Sequence, residues 1–367
     1  MKLKKNIAVN FLTAIIILSS CSTASINIQN GLIKQHDENI NQNNINKFSS
    51  YQHFSPSDLE ELNKFIMKSD TSGSKLNAIK IIRSNLNKIK SKKNYALSIH
   101  PDNEYSEYLI EIIYNLDLPI TISWDETYRE ERFFDLLVDK TSGFCSSLYD
   151  DALQSIFTEI HGSQNSTLLI YSPKYNFMRG IFSKRYPLIR TAELNSNNPQ
   201  AFSAQILQIK SSNNRFKKIS SLNPNQRLRF FPRPRADIKT IILLLEPKKY
   251  KSLLPALRYH GGDKFRYINF ISSIEKIENA MELLDYENSE APFSSYLADK
   301  IKNKKLLSLE RILEKSVLSD WLTIQLLKQS GIQSAEINGM TGRLKFQRNS
   351  CVRRTIPMQG IDAKWIT

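Results

Sequence analysis

Cysteine is scarce in this chain: its 367 residues hold three, Cys21, Cys145 and Cys351. They are too few and too scattered for a disulfide framework, and none is paired at the C-x-x-C-like spacing of a cysteine-based zinc site. The spacing leaves open whether Cys145 and Cys351 ever meet. The five histidines, His36, His53, His100, His161 and His260, are equally dispersed. No H-E-x-x-H occurs and no two histidines share the i, i+4 spacing of a helical metal pair, so neither a metal nor any other cofactor is expected. With 11 glycines and 13 prolines the chain is neither collagen-like nor wholly disordered. The N-terminal apolar stretch Ile7 to Leu18 covers 12 residues, interrupted by Asn10 and Thr13. A bilayer span needs about 20.

What is present fits a globular protein with a large core: 41% of residues are hydrophobic and 24% charged. Fifty-one Lys and Arg against 36 Asp and Glu give a formal charge of +15, which by itself suggests nucleic acid or an acidic surface as partner. The distribution narrows that suggestion. Residues 227–258 carry a local +7, with Arg227, Arg229, Arg233 and Arg235 at their start, whereas residues 102–139 carry a local −9. Such regional polarity favours a specific protein face over a nucleic-acid groove, and makes the four arginines a candidate docking surface.

The N-terminus reads as an export signal. Lys2, Lys4 and Lys5 precede the short apolar stretch, and Leu18-Ser19-Ser20-Cys21 follows it, resembling the bacterial lipobox. Cys21 is thereby expected to become the acylated N-terminus of the mature chain, because several acyl chains anchor stably where one does not. Ser22, in place of an aspartate, implies sorting to the outer membrane, facing the periplasm. Loss of residues 1–20 removes three lysines and no acids, leaving +12. Export also makes nucleic acid an unsuitable partner. Seven asparagines between Asn27 and Asn46, without a sustained period, mark residues 21–54 as the lipidated cysteine and a flexible tether.

A helical lead-in is expected over 55–94, with Leu59, Leu62, Phe65 and Ile66 in a first amphipathic helix and Leu76 to Ile89 in a second. Strands follow at Tyr95–Ile99 and Leu118–Ile122, separated by a helix bearing Tyr105, Tyr108, Leu109 and Ile112. The alternation continues with a helix from Asp150 to His161 and a strand at Thr167–Tyr171. The apolar run Thr240–Leu245, the helix opened by Pro247 and a strand over Arg266–Ile271 complete it. This βα order argues for parallel sheets covered by helices on both faces, and the length from 55 onward argues for two α/β lobes. A long helix over Ser308–Gln329 and a hairpin of Arg343–Gln347 with Val352–Ile356 close the chain.

Signatures of catalysis are incomplete. Ser72-Gly73-Ser74-Lys75 and Ser273-Ile274-Glu275-Lys276 match S-x-x-K and Ser196-Asn197-Asn198 matches S-x-N, yet no K-T-G accompanies them; Lys140-Thr141-Ser142 is the nearest approach. G-x-S-x-G and the phosphate-cradling G-x-x-x-x-G-K-[ST] are missing. The neighbouring carboxylates Asp125 and Glu126, or Glu130 and Glu131, read as a solvated face rather than an opposed glycosidase pair. No enzymatic activity is expected.

Two stretches carry a family resemblance. The first is Arg233-Pro234-Arg235-Ala236-Asp237 leading into Thr240–Leu245 and Glu246-Pro247, followed by Leu253-Leu254-Pro255-Ala256-Leu257-Arg258-Tyr259. The second is Asn338-Gly339-Met340-Thr341-Gly342-Arg343-Leu344 with Val352-Arg353-Arg354-Thr355-Ile356-Pro357. In that order they resemble the LpoA/LppC lipoproteins, activators of a class A penicillin-binding protein. The resemblance implies a two-lobed fold over 95–367, like type I periplasmic solute-binding proteins, with parallel sheets flanked by helices. It also implies a noncatalytic outer-membrane lipoprotein that stimulates peptidoglycan synthesis by touching its synthase. It reaches only the family's C-terminal domain, and His100-Pro101 replaces a Gly-Pro frequent in relatives. The competing expectation is a lipid-anchored solute receptor holding an amino acid or peptide-like ligand between its lobes, with His100, Trp124, Ser146 and Ser147, at predicted strand ends, as cleft candidates.

Overall fold

Two uninterrupted apolar runs set the centre of the molecule. In the computed structural model, which describes residues 74–116, 118–126, 135–222, 228–261, 264–278, 280–294, 296–298 and 308–362, both are strands buried along their whole length: β3 (Thr167–Tyr171) and β5 (Thr240–Leu244). Cys21, where acylation is expected, and the expected tether and first lead-in helix lie outside the described residues. The described part begins with α1 (Ser74–Ser91), β1 (Tyr95–Ile99), α2 (Ser106–Tyr114), β2 (Ile120–Trp124) and α3 (Leu148–Ile160).

The six-stranded sheet uses β3 and β5 as its middle. Between them in sequence come α4 (Asn176–Arg185), β4 (Arg190–Glu193), α5 (Pro199–Ile206) and α6 (Ile209–Leu222). After β5 follow α7 (Pro247–Gly261), β6 (Arg266–Asn269) and β7 (Ser289–Pro292). Then come α8 (Leu309–Gln329), β8 (Ser334–Asn338), β9 (Arg343–Gln347), β10 (Arg353–Thr355) and β11 (Met358–Ile361). The strand order is β11-β7-β6-β5-β3-β4, parallel except for β11, which runs antiparallel to β7. The expected mixed α/β architecture with helix-flanked parallel sheets is what the chain forms.

Among the described residues, a second parallel sheet pairs β1 with β2, in register from Tyr95↔Ile120 to Ile99↔Trp124. A two-stranded sheet is marginal alone, and this one is secured from outside. The Gln329 carboxamide at the end of α8 pairs with the free edge of β1, accepting the Ala96 N–H at 3.1 Å and donating to its carbonyl at 2.6 Å. Tyr95 adds bonds to Ile89 O and Ser330 Oγ, each 2.7 Å. β2 starts two residues later than its sequence suggests because Pro119 has no N–H to contribute; its carbonyl instead accepts Tyr95 N–H at 2.8 Å.

The third sheet is antiparallel, ordered β10-β9-β8. Its outer pair is the expected hairpin, and β9 alternates exposed and buried as a one-faced strand should. Against this sheet and β7 stands α3, which touches both β10 and β7, while α8 packs with α2 and fully buries Trp321, Leu322 and Ile324. Each such aliphatic side chain removed from water contributes about 1.5–3 kcal/mol.

Candidate functional site

The second resemblance stretch builds a buried polar joint. Asp320 sits in the middle of α8, wholly inaccessible, among Leu318, Trp321 and Leu322. Its carboxylate accepts the Met340 N–H at 2.6 Å, the Thr341 N–H at 2.9 Å and the Thr341 hydroxyl, so the turn between β8 and β9 is folded around it. Gly339 is required by that approach: a Cβ there would lie 2.6 Å from Asp320 Oδ1. Gly342 closes the turn through the Gly339 N–H bond to its carbonyl, and a Cβ on it would stand 2.6 Å from the Thr355 carbonyl oxygen.

Arg354, on β10, brings the opposite charge. Its side chain is 1% exposed, its Nη1 lies 3.3 Å from Asp151 Oδ2, and its guanidinium stacks 4.4 Å above the Phe144 ring. Asp151 also accepts the Ser146 hydroxyl. Burial raises the Asp151 and Asp320 carboxyls above their ordinary values while Arg354 pulls both back, and burial lowers the Arg354 guanidinium. Beside this group the disulfide Cys145–Cys351 joins the same two segments, with its Cα atoms 4.9 Å apart. Cys145 N–H to Val352 O and Val352 N–H to Gly143 O, at 2.9 and 2.8 Å, complete the seam. Arg354 faces both carboxylates in this solvent-sealed joint, which fixes α3, α8 and the antiparallel sheet to one another. Asp320 was visible in sequence as one acid inside the apolar run Val317–Leu322; Asp151 and Arg354 had no local signal.

The four cleft candidates separate into two pairs. His100 and Trp124 share the C-terminal edge of the β1–β2 sheet: His100 is buried and its Nδ1 accepts Asp102 N–H at 3.2 Å, while Trp124 is 52% exposed. Ser146 and Ser147 lie instead at the start of α3. Ser147 is the helix N-cap, accepting Asp150 N–H at 3.1 Å in a capping box with Asp150, and Ser146 is bound to Asp151. Their hydroxyls are occupied by the fold.

Sequence reasoning missed a denser polar group at the C-terminal edge of the large sheet. The strand order reverses between β3 and β5, the place where open α/β sheets offer a crevice to ligands. Here the crevice region holds Ser172, whose N–H bonds Leu244 O at 3.1 Å, and Tyr175, which is buried and bonded to Ser272 at 2.8 Å. Tyr149 donates to Glu275 close by. Burial, then the Glu275 charge, pushes the Tyr149 phenol far above its usual range; burial raises Glu275, partly offset by the Tyr149 hydrogen bond. Position directly after a parallel strand was the available signal for Ser172 and Tyr175.

The expected basic docking surface is only partly available. Arg227 lies outside the described residues, and Arg229 and Arg233 are exposed. Arg235 is not free to dock: its Nε and Nη2 grip Asp237, both at 2.7 Å, and Arg190 bonds the same carboxylate. The Arg235 hydrogen bond, seconded by Arg190, holds Asp237 well below the usual carboxylate range. Among the described residues, no helix is long and apolar enough to cross a membrane, and no group of three or more His, Cys, Asp or Glu is placed to hold a metal ion.

No protein-family model and no curated protein matches the sequence. Solved structures give distant likenesses. The C-domain of LpoA (YraM) from Haemophilus influenzae, a regulator of PBP1A, is 8% identical with a TM-score of 0.34, over 74% of this chain and 98% of that one. Full-length LpoA from the same organism is 11% identical with a TM-score of 0.32, over 90% of this chain and 75% of that one. A putative branched-chain amino acid ABC transporter from Rhodospirillum rubrum is 9% identical with a TM-score of 0.40, over 74% and 98%.

Proposed function

We propose that this chain is a noncatalytic, lipid-anchored protein of the outer membrane, facing the periplasm, that binds a class A penicillin-binding protein and stimulates peptidoglycan synthesis. One observation supports the reading above the rest. The residues by which the second stretch resembles the LpoA/LppC activators, Gly339, Thr341, Gly342 and Arg354, converge on the same buried joint although they are distributed over a turn and a separate strand. The β9–β10 pairing brings the two segments together, and the resembling residues are among those that meet Asp320 and Asp151. The rival reading, a solute receptor, loses two of its four cleft candidates, because the hydroxyls of Ser146 and Ser147 serve α3 and Asp151.

Pull-down of the mature protein with the periplasmic part of a class A synthase, followed by a glycan-polymerisation assay, tests the proposal. Salt-sensitive binding with a higher polymerisation rate is expected. Absence of binding at low salt, together with thermal stabilisation by amino acids or short peptides, would transfer the chain to the receptor class.

A further inference from the structure

Between Glu193 and Asp237 the sequence runs for 43 residues without an acid, and the same span holds eight Lys and Arg. Among the described residues, Lys210, Arg215, Lys217, Lys218, Arg229 and Arg233 are exposed. Residues 228–235 return alongside α6, tied at two points: Arg233 N–H bonds Ser212 Oγ at 3.1 Å, and Phe230 stacks on Phe216 with ring centroids 4.3 Å apart. Ser212, Phe216 and Ile219 follow one another at i, i+4 and i+7 and so form a single stripe on the helix. The return therefore runs antiparallel to α6 and carries Leu228 toward the turn that bears Ile219 and Leu222, with Phe231 one residue beyond the Phe230–Phe216 tie.

Phe230 is the residue turned inward; its neighbours are turned out. Ile219 is 56% exposed, Leu222 84% and Phe231 76%, with Leu228 at 37%. Single exposed apolar residues are common on any protein, but four grouped on one face are not. Exposed cations accompany them: Arg215 and Lys218 on the same side of the helix, Arg229 and Arg233 on the return. The first acid, Asp237, is already neutralised by Arg190 and Arg235.

Exposure and charge together select the occupant. Exposed Leu, Ile and Phe side chains beside Lys and Arg are what an interfacial helix offers to lipid, with its apolar tips in the acyl boundary and its cations at the headgroups. We propose that α6 and the 228–235 return form an adsorption face for a bilayer containing anionic phospholipid. The face is independent of the synthase reading, and it brings the body of the protein, not only its N-terminus, to the membrane.

The test uses the full chain carrying Leu222→Cys labelled with an environment-sensitive fluorophore, with the unsubstituted chain labelled in parallel as background. A second chain labelled at Glu336→Cys, exposed on β8, reports on a different region. On vesicles of phosphatidylethanolamine with phosphatidylglycerol, the label at 222 should brighten and shift to the blue, the label at 336 should not, and high salt should reverse the change. Phosphatidylcholine vesicles should give no change. Arg229→Gln and Arg233→Gln, both at exposed sites and checked by thermal melting, should each lower the ratio of docked to undocked protein about fivefold, the effect of one cation at an anionic surface. Equal responses on both vesicle types, no response at 222, or a response that arises only when the periplasmic part of a synthase is added would each overturn the proposal.

Discussion

Arg354→Met removes the cation that faces two buried carboxylates. In the native protein Arg354 pairs with Asp151 at 3.3 Å and acts on Asp320 through space, while Asp320 retains its bonds from Met340 and Thr341. Removing one partner of a buried pair leaves the other charge uncompensated and costs about 3–5 kcal/mol, a large share of the 5–15 kcal/mol that stabilises a typical protein. The loss must depend on pH. Burial already raises both carboxyls and Arg354 opposes it, so in the variant both rise further. An acid raised by folding binds its proton more tightly in the folded state. Stability therefore falls as pH climbs from the unfolded aspartate value of about 3.9 to the raised folded value, and is level above it. Urea unfolding followed by circular dichroism should show a variant deficit that is smallest near pH 4 and grows toward neutrality. Adding Asp151→Leu to Arg354→Met should recover part of the loss, since it removes one of the stranded charges. A deficit below about 1 kcal/mol, or one of the same size at about pH 4 and pH 7, would refute the account of the joint as a seam held by Arg354 between two carboxylates.

Two further outcomes concern the same region. Gly342→Ala should destabilise by about 1–3 kcal/mol, because the new methyl group meets the Thr355 carbonyl at 2.6 Å, whereas Gly360→Ala, which meets nothing within 4 Å, should stay within about 0.5 kcal/mol in the same urea titration. Cys351→Ser opens a bridge spanning 206 residues and should cost about 2–5 kcal/mol, with one new thiol from Cys145 titrating in the denatured variant.

Much of the fold could be read in the sequence wherever burial writes itself into composition. β3 and β5, apolar throughout, and α8, with its helical period, appear where they were expected. Strands whose residues serve an edge or an exposed face left no such mark. β4 (Arg190–Glu193) is largely exposed and β8 reads Ser-Ala-Glu-Ile-Asn, so neither has an apolar run or clean alternation; β7, though inside the sheet, is a short Ser-Glu-Ala-Pro segment with no apolar run either. The strand expected over Arg266–Ile271 stops at Asn269 because the chain tightens into a 3-10 turn at Ile271–Ser273, where Ser273 N–H reaches Phe270 O at 3.0 Å. The site was harder still. Asp151 and Arg354 belong together only through contacts between segments far apart in the chain, and no local pattern encodes such a pairing. Arg235 looked like a free cation for the same reason, since its partnership with Asp237 is short-range but its half-burial is decided by the fold.

The seam between α3 and the last strands also governs when the protein can finish folding. Three of its contacts span nearly the same stretch of chain: the disulfide bridges 206 residues, Arg354 to Asp151 spans 203, and Ser155 to Ile356 O spans 201. Closing a loop of that length costs about 5 kcal/mol of chain entropy, but three closures at one separation share that cost. The first contact made brings the others almost without further loss, so the seam shuts as one event. That event must wait until nearly all of the chain has emerged, and a nascent chain missing its final strands holds α3 with Cys145 and Asp151 still unmated.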